Sequence, residues 1–328
     1  MALRVIEYRQ LIQVVVMFMI VQFFGLLLAT QVFTGVTFQS IQGAQTVSST
    51  FNALFYIAYI VIFSAIILII FKVYKGNKLF LLLEGAVVVV ASSIVFLVSI
   101  SALQGTAFAN LFGNGNMLIL IIAIALAVAL MVAKYKIPKL RNITAMISSV
   151  GVGLIIGISF SFLAAVIFML ILAAYDFIAV FITKHMIALG NMAIENNLSF
   201  LIMVNEVEAV PVSSLGASEK AEYNKAKKDL RRQNSTFNKM VNSNMAPVAA
   251  RTALGTGDLA MPLMLAVAAY KVNLNFTLSF VIILGAVLGL LITMLILRRY
   301  KRALPAIPPI LLGIGIALLV YFAAVALV

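Results

Sequence analysis

Residues 162–186 read FLAAVIFMLILAAYDFIAVFITKHM, and between Phe162 and Thr183 the only charged side chain is Asp176. A helix crossing a hydrocarbon core of about 30 Å needs about 20 apolar residues at 1.5 Å rise each, so this stretch reads as a membrane-spanning helix. A carboxylate at such depth costs about 3 kcal/mol on insertion scales. It therefore normally faces a protein interior or a water-filled cavity and marks function.

The rest of the chain has the same character. Of its 328 residues 64% are hydrophobic and only 10% charged, with a mean hydropathy of +1.17. A soluble domain cannot hide that much apolar surface. Apolar runs separated by charged or Gly/Asn-rich breaks predict an all-α polytopic membrane protein with nine transmembrane helices, at 11–33, 51–73, 79–103, 116–133, 143–160, 162–186, 254–270, 276–297 and 304–328. Between the fifth and sixth almost nothing polar intervenes except Ser159 and Ser161, yet 143–186 is too long for one span. Arg4 and Arg9 precede the first run, but its length exceeds a signal-peptide core of about 7–15 residues, and it reads as the first span.

Charge sorts the loops. On this frame every one of the 23 basic residues except Lys271 falls on one side. The positive-inside rule then places the N-terminus in the cytoplasm and the C-terminus outside. The formal charge of +13 is thus accounted for by membrane flanks, without nucleic acid. With no cysteine and only His185, thiol nucleophiles, zinc sites and Ser-His-Asp triads each lack a component, and no metal or cofactor is expected. His185 and Lys184 lie at the cytoplasmic end of the sixth span, where an interfacial role suffices. The long interruption at 188–253 opens with an apolar stretch, Leu198 to Val204, and becomes a Lys/Glu/Asn/Ser-rich tract over 213–244, expected to be partly disordered.

Of ten acidic residues, seven lie in the N-terminus or the long loop, and Glu84 is close enough to the end of the third span to snorkel. Asp176 and Asp258 remain. Asp258 follows Gly255-Thr256-Gly257 at the entry of the seventh span. Without β-carbons such a segment can unwind and admit another backbone, which at membrane depth implies a lined, wet cavity. Gly153-x-x-x-Gly157 and Gly285-x-x-x-Gly289, by contrast, read as helix-packing faces. Asp176 lies roughly 15 Å from the cytoplasmic end of its span; Asp258 reaches that depth only if 251–257 is extended rather than helical. The two can then meet. Like charges a few ångströms apart cannot both ionise, so the pair shares a proton: one carboxylate activates water as general base while the other polarises a peptide carbonyl. Buried aspartates can also merely bind helices together, and paired ones also serve ion or proton pathways.

The segment Tyr175-Asp176-Phe177-Ile178-Ala179-Val180-Phe181, the Gly255-Thr256-Gly257-Asp258 motif and Ala303-Leu304-Pro305-Ala306-Ile307-Pro308 resemble the presenilin and signal peptide peptidase family of intramembrane aspartyl proteases. The likeness runs from about residue 162 to the C-terminus. Ala193-Ile194-Glu195-Asn196-Asn197 and the cytoplasmic N-terminus lean toward the presenilin branch. The resemblance implies an endopeptidase that cuts other transmembrane segments, with Asp176 and Asp258 catalytic and no cofactor. Its substrates are expected to be helices that enter with their N-termini outside. Tyr175, Leu254, Gly255, Thr256, Gly257, Leu304, Pro305, Ala306 and Ile307 are the expected substrate-binding positions. Thr256 stands where the family usually has leucine, and Ile307 replaces the leucine of its Pro-Ala-Leu motif. Pro305 removes an amide donor and disfavours helix at Leu304, leaving backbone to which a substrate strand could add; prolines there also simply begin helices. A prepilin-type peptidase shares Gly-x-Gly-Asp but not the Pro305 motif.

This gives four parts: a bundle of spans one to five (1–161), span six with the first aspartate (162–187), the loop (188–253), and spans seven to nine with the second aspartate (254–328). The expected partners are the bilayer and transmembrane substrates, in the plasma membrane of a prokaryote; accessory subunits or a homo-oligomer are not implied.

Overall fold

The computed structural model describes residues 2–34, 77–103, 116–137, 140–182, 199–211, 245–300 and 305–326. The expected second span at 51–73, the polar tract at 213–244 and Leu304 lie outside them. In chain order the elements are α1 (Ala2–Thr34), α2 (Asn77–Leu103), α3 (Asn116–Lys136), α4 (Leu140–Ser159), α5 (Phe162–Phe177), β1 (Leu201–Pro211), β2 (Met245–Gly255), α6 (Thr256–Asn273), α7 (Phe276–Tyr300) and α8 (Ile307–Ala326). The chain divides into two compact units, 1–14 with 203–253, and 15–202 with 254–328. The first contains the opening turns of α1 and most of the two strands; the second contains the helical frame and both aspartates.

Among the described residues seven helices are long and apolar enough to cross a membrane. The chain is a polytopic, mostly helical integral membrane protein. The α4–α5 boundary falls where the two serines stand. Ser161 is extended and its hydroxyl accepts from the Ala164 amide, so it caps α5 and ends the continuous apolar run. Phe160 packs edge-on against Phe168 across the break, with ring centroids 5.4 Å apart.

The eighth helix, α6, is not one of the seven. It is 18 residues long, carries Asp258 near its start and Lys271 near its end, and contains Pro262. It is enclosed by protein: Leu259, Ala260 and every residue from Leu263 to Tyr270 are buried. Close packing of α4 makes this enclosure possible. A β-carbon on Gly153 would lie 3.0 Å from the Ala260 carbonyl oxygen, and one on Gly157 would lie 2.8 Å from that of Met264. Both glycine pairs predicted to be packing faces are so, since Gly285 and Gly289 press in the same way against the backbone of α8. Lys271, the one basic residue on its side of the predicted frame, donates to the Ile158 carbonyl (2.8 Å) in the last turn of α4.

Two features depart from the sequence reading. Among the described residues of the long interruption, β1 and β2 pair as a two-stranded sheet that the sequence reading did not include. Glu84 does not snorkel. It is fully buried and ion-paired with Lys134 of α3.

Candidate active site

Asp176 is the penultimate residue of α5, and its side chain is buried (6% exposed) although Tyr175 and Phe177 beside it are exposed. The helix then widens. Ile178–Ile182 form a π-helical turn, a local underwinding of a kind that recurs at functional sites. The Ile178 amide, at the junction, bonds to both the Ala174 and Tyr175 carbonyls.

The Asp176 carboxylate is met by the start of α8. Its Oδ2 accepts from the Ile307 amide at 3.3 Å, and the neighbouring Ala306 amide also faces it. The first turn of any helix has amides without intrahelical partners. Here Ile307 gives its hydrogen to Asp176, Pro308 and Pro309 have none to give, and Ile310 donates back to Ala306. The prolines thus begin a helix, and they also leave a helix N-terminus, favourable to negative charge, aimed at the carboxylate. Pro305 and Ala306 are themselves buried. The backbone expected to lie open after Pro305 is therefore partly engaged by Asp176.

Asp258 arrives by a different route. The strand β2 stays extended to Gly255, and α6 starts at Thr256. The unwound entry needed for depth is thus a strand, with the helix beginning two residues later than the predicted span. Asp258 stands at the third helical position and turns back to accept from the Gly255 amide through Oδ2 (3.2 Å), so it caps its own helix. It is half-buried and close enough to Asp176 for the two charges to interact. The fold thus brings Asp176, Asp258 and Ile307 into one cluster. Leu254 is buried, Thr256 half-buried, and Gly257 exposed with nothing within 4 Å of where its β-carbon would stand. Tyr175 sits next to Asp176 but is 41% exposed.

A β-carbon on Gly255 would lie 3.0 Å from Asp258 Oδ2, a contact the carboxylate must relieve by moving. The backbone at Gly255 is extended and accepts any side chain. Gly255→Ala is accordingly expected to lower kcat on a transmembrane reporter about tenfold while leaving the melting temperature nearly unchanged. Equal kcat in the two proteins would show that this carboxylate tolerates displacement.

Gln22 joins the site from α1. It is fully buried on α1 and its Nε2 donates to the Leu259 carbonyl (2.9 Å), one residue beyond Asp258. The available signal was an amide side chain within an otherwise apolar span, which must find a partner inside the protein.

Two carboxylates on neighbouring helices of a membrane-embedded protein fit either an aspartyl hydrolase or an ion pathway. The family model described as signal-peptide peptidase, presenilin aspartyl protease matches residues 15–327, and the chain belongs to that family. It is an intramembrane aspartyl protease. Two solved structures, each of a presenilin family intramembrane aspartate protease, share its fold. One, in space group C222, has a TM-score of 0.58 at 19% identity and covers 96% of this chain and 99% of its own. The other, in space group P2, has 0.52 at 21%, covering 94% and 96%. No curated protein is matched.

Proposed function

We propose that Asp176 and Asp258 are the catalytic pair, and that they hydrolyse peptide bonds in or near transmembrane segments of other proteins. The observation that carries this reading is a buried carboxylate within an apolar span close enough to the carboxylate at the start of α6 for the two charges to interact. The pair holds one proton. The ionised carboxylate takes a proton from water, whose oxygen bonds to the peptide carbon, while the protonated carboxyl hydrogen-bonds and then protonates the carbonyl oxygen. In collapse of the tetrahedral intermediate the C–N bond breaks, the amine leaves with the proton held by the first carboxylate, and the second recovers its own. The Ala306 and Ile307 amides steady negative charge on Asp176 between turns of the cycle.

The substrate approaches along Tyr175, Leu254, Gly255, Thr256, Gly257 and the segment Leu304, Pro305, Ala306 and Ile307. The open space at Gly257 supports a close backbone approach there. The frame is nine spans with a cytoplasmic N-terminus and an external C-terminus, divided at 161, 187 and 253, in a prokaryotic plasma membrane. The one-sided distribution of basic residues supports the span count and the orientation. The purified protein in liposomes, given a reporter transmembrane segment, is expected to yield two products whose masses sum to the substrate plus water. An intact reporter, with ion flux across the same liposomes, would instead favour a pathway role for the aspartates.

A further inference from the structure

We infer that the buried Glu84–Lys134 ion pair is a positioning device for Asp258, acting through the strand entry rather than through the helices that carry it. Glu84 on α2 is fully buried and Lys134 on α3 nearly so. One Glu84 oxygen, Oε1, accepts from both the Lys134 ammonium and the Ser199 amide, and Lys134 donates also to the Ser199 hydroxyl (3.0 Å). The next carbonyl in the chain, that of Phe200, accepts from the Thr256 amide (2.9 Å). Thr256 is the first residue of α6, and the Gly255 amide before it holds the Asp258 carboxylate. Two backbone steps thus connect a buried charge pair to the acid.

Chemistry gives this connection a purpose. Gly255 and Gly257 offer no side chain to pack, so between the buried Leu254 and Leu259 the α6 entry is held in part by its backbone hydrogen bonds. The partner of Thr256 lies in the turn at Ser199–Phe200 just before β1, which needs its own anchor. A neutral acceptor would hold the Ser199 amide less strongly than a carboxylate, and a lone carboxylate could not remain buried without Lys134. The Lys134–Ser199 contact is not a nucleophile–base dyad: Ser199 is 1% exposed and Lys134 is held by a carboxylate.

The inference rests on Asp258 being catalytic, so its test has a readout apart from cleavage. Single substitutions leave an unpaired buried charge and can simply unfold the protein. Two uncharged double variants avoid this: Glu84→Gln with Lys134→Met keeps an acceptor for the Ser199 amide, and Glu84→Leu with Lys134→Met removes it. Hydrogen exchange over 254–258 is expected to be faster in the leucine double variant than in the glutamine one. Its kcat on the reporter is expected to be about tenfold lower with KM within about twofold, and the cut positions are expected to spread. Equal exchange in the two folded variants overturns the connection; unequal exchange with equal kcat overturns its bearing on catalysis. If the unmodified protein cuts nothing, the catalytic assignment fails and the connection is judged by exchange alone.

Discussion

Asp258→Asn is expected to give a folded protein that cleaves a transmembrane reporter at least roughly a thousandfold more slowly, the loss typical of removing an acid–base group from its site. Asp176→Asn is expected to do the same. In both variants the amide keeps the size of the side chain and one oxygen acceptor, so the hydrogen bonds from Gly255 to residue 258 and from Ile307 to residue 176 can persist. What disappears is the shared proton, and with it the exchange of acid and base roles. Alanine separates this chemistry from structure. Asp258→Ala also deletes the N3 side chain that accepts from the Gly255 amide at the start of α6, and is expected to melt at a lower temperature than the asparagine variant with no further loss of an activity already absent. Reporter cleavage resolved by mass, with thermal unfolding in the same detergent, checks both halves. Cleavage at the normal rate by either asparagine variant would falsify the two-carboxylate mechanism.

Both aspartates were legible because hydrocarbon makes ionisable groups rare. An acid that survives in the centre of an apolar run needs a reason, and depth alone predicted that 251–257 could not be a regular helix if Asp258 was to meet Asp176. The strand ending at Gly255 is the physical form of that requirement. Glu84, Lys134 and Ser199 were not legible by the same logic. Each stands near the end of an apolar segment, where a charge has an ordinary interfacial explanation, and their contact joins residues 50 and 115 positions apart that no periodicity links. The strands were hidden for a related reason. Pro247 stands inside β2 and Pro211 ends β1, and the pairing that satisfies their backbone is non-local. The fate of the α8 amides was half visible: prolines at 305, 308 and 309 mark a helix start, but only the fold shows that the one remaining donor in its first turn points at Asp176.

The second large effect is expected at a glycine that touches neither aspartate. A β-carbon on Gly289 of α7 would lie 2.4 Å from the Pro309 carbonyl oxygen and 2.5 Å from the Ile310 α-carbon, and one on the facing Gly313 would lie 2.3 Å from the Gly285 carbonyl oxygen. These neighbours are backbone, so no side chain can turn aside and the helices themselves must separate. Overpacking of a close helix contact costs about 1–3 kcal/mol, and Gly289→Val should reach the upper end of that range. The displacement also has a direction. Pro309 and Ile310 lie two and three residues beyond Ile307, in the first turn of α8, so pushing that turn away from α7 disturbs the amide that meets Asp176. Gly289→Val is therefore expected to lower both the melting temperature and kcat, by about tenfold or more in the latter. Gly315, also on α8 but with nothing within 4 Å of a β-carbon, is the control: Gly315→Val is expected to change neither appreciably. If the two variants lose activity equally, the tight α7–α8 contact is not what holds Ile307 against Asp176, and the bond between them is set by α5 and α8 alone.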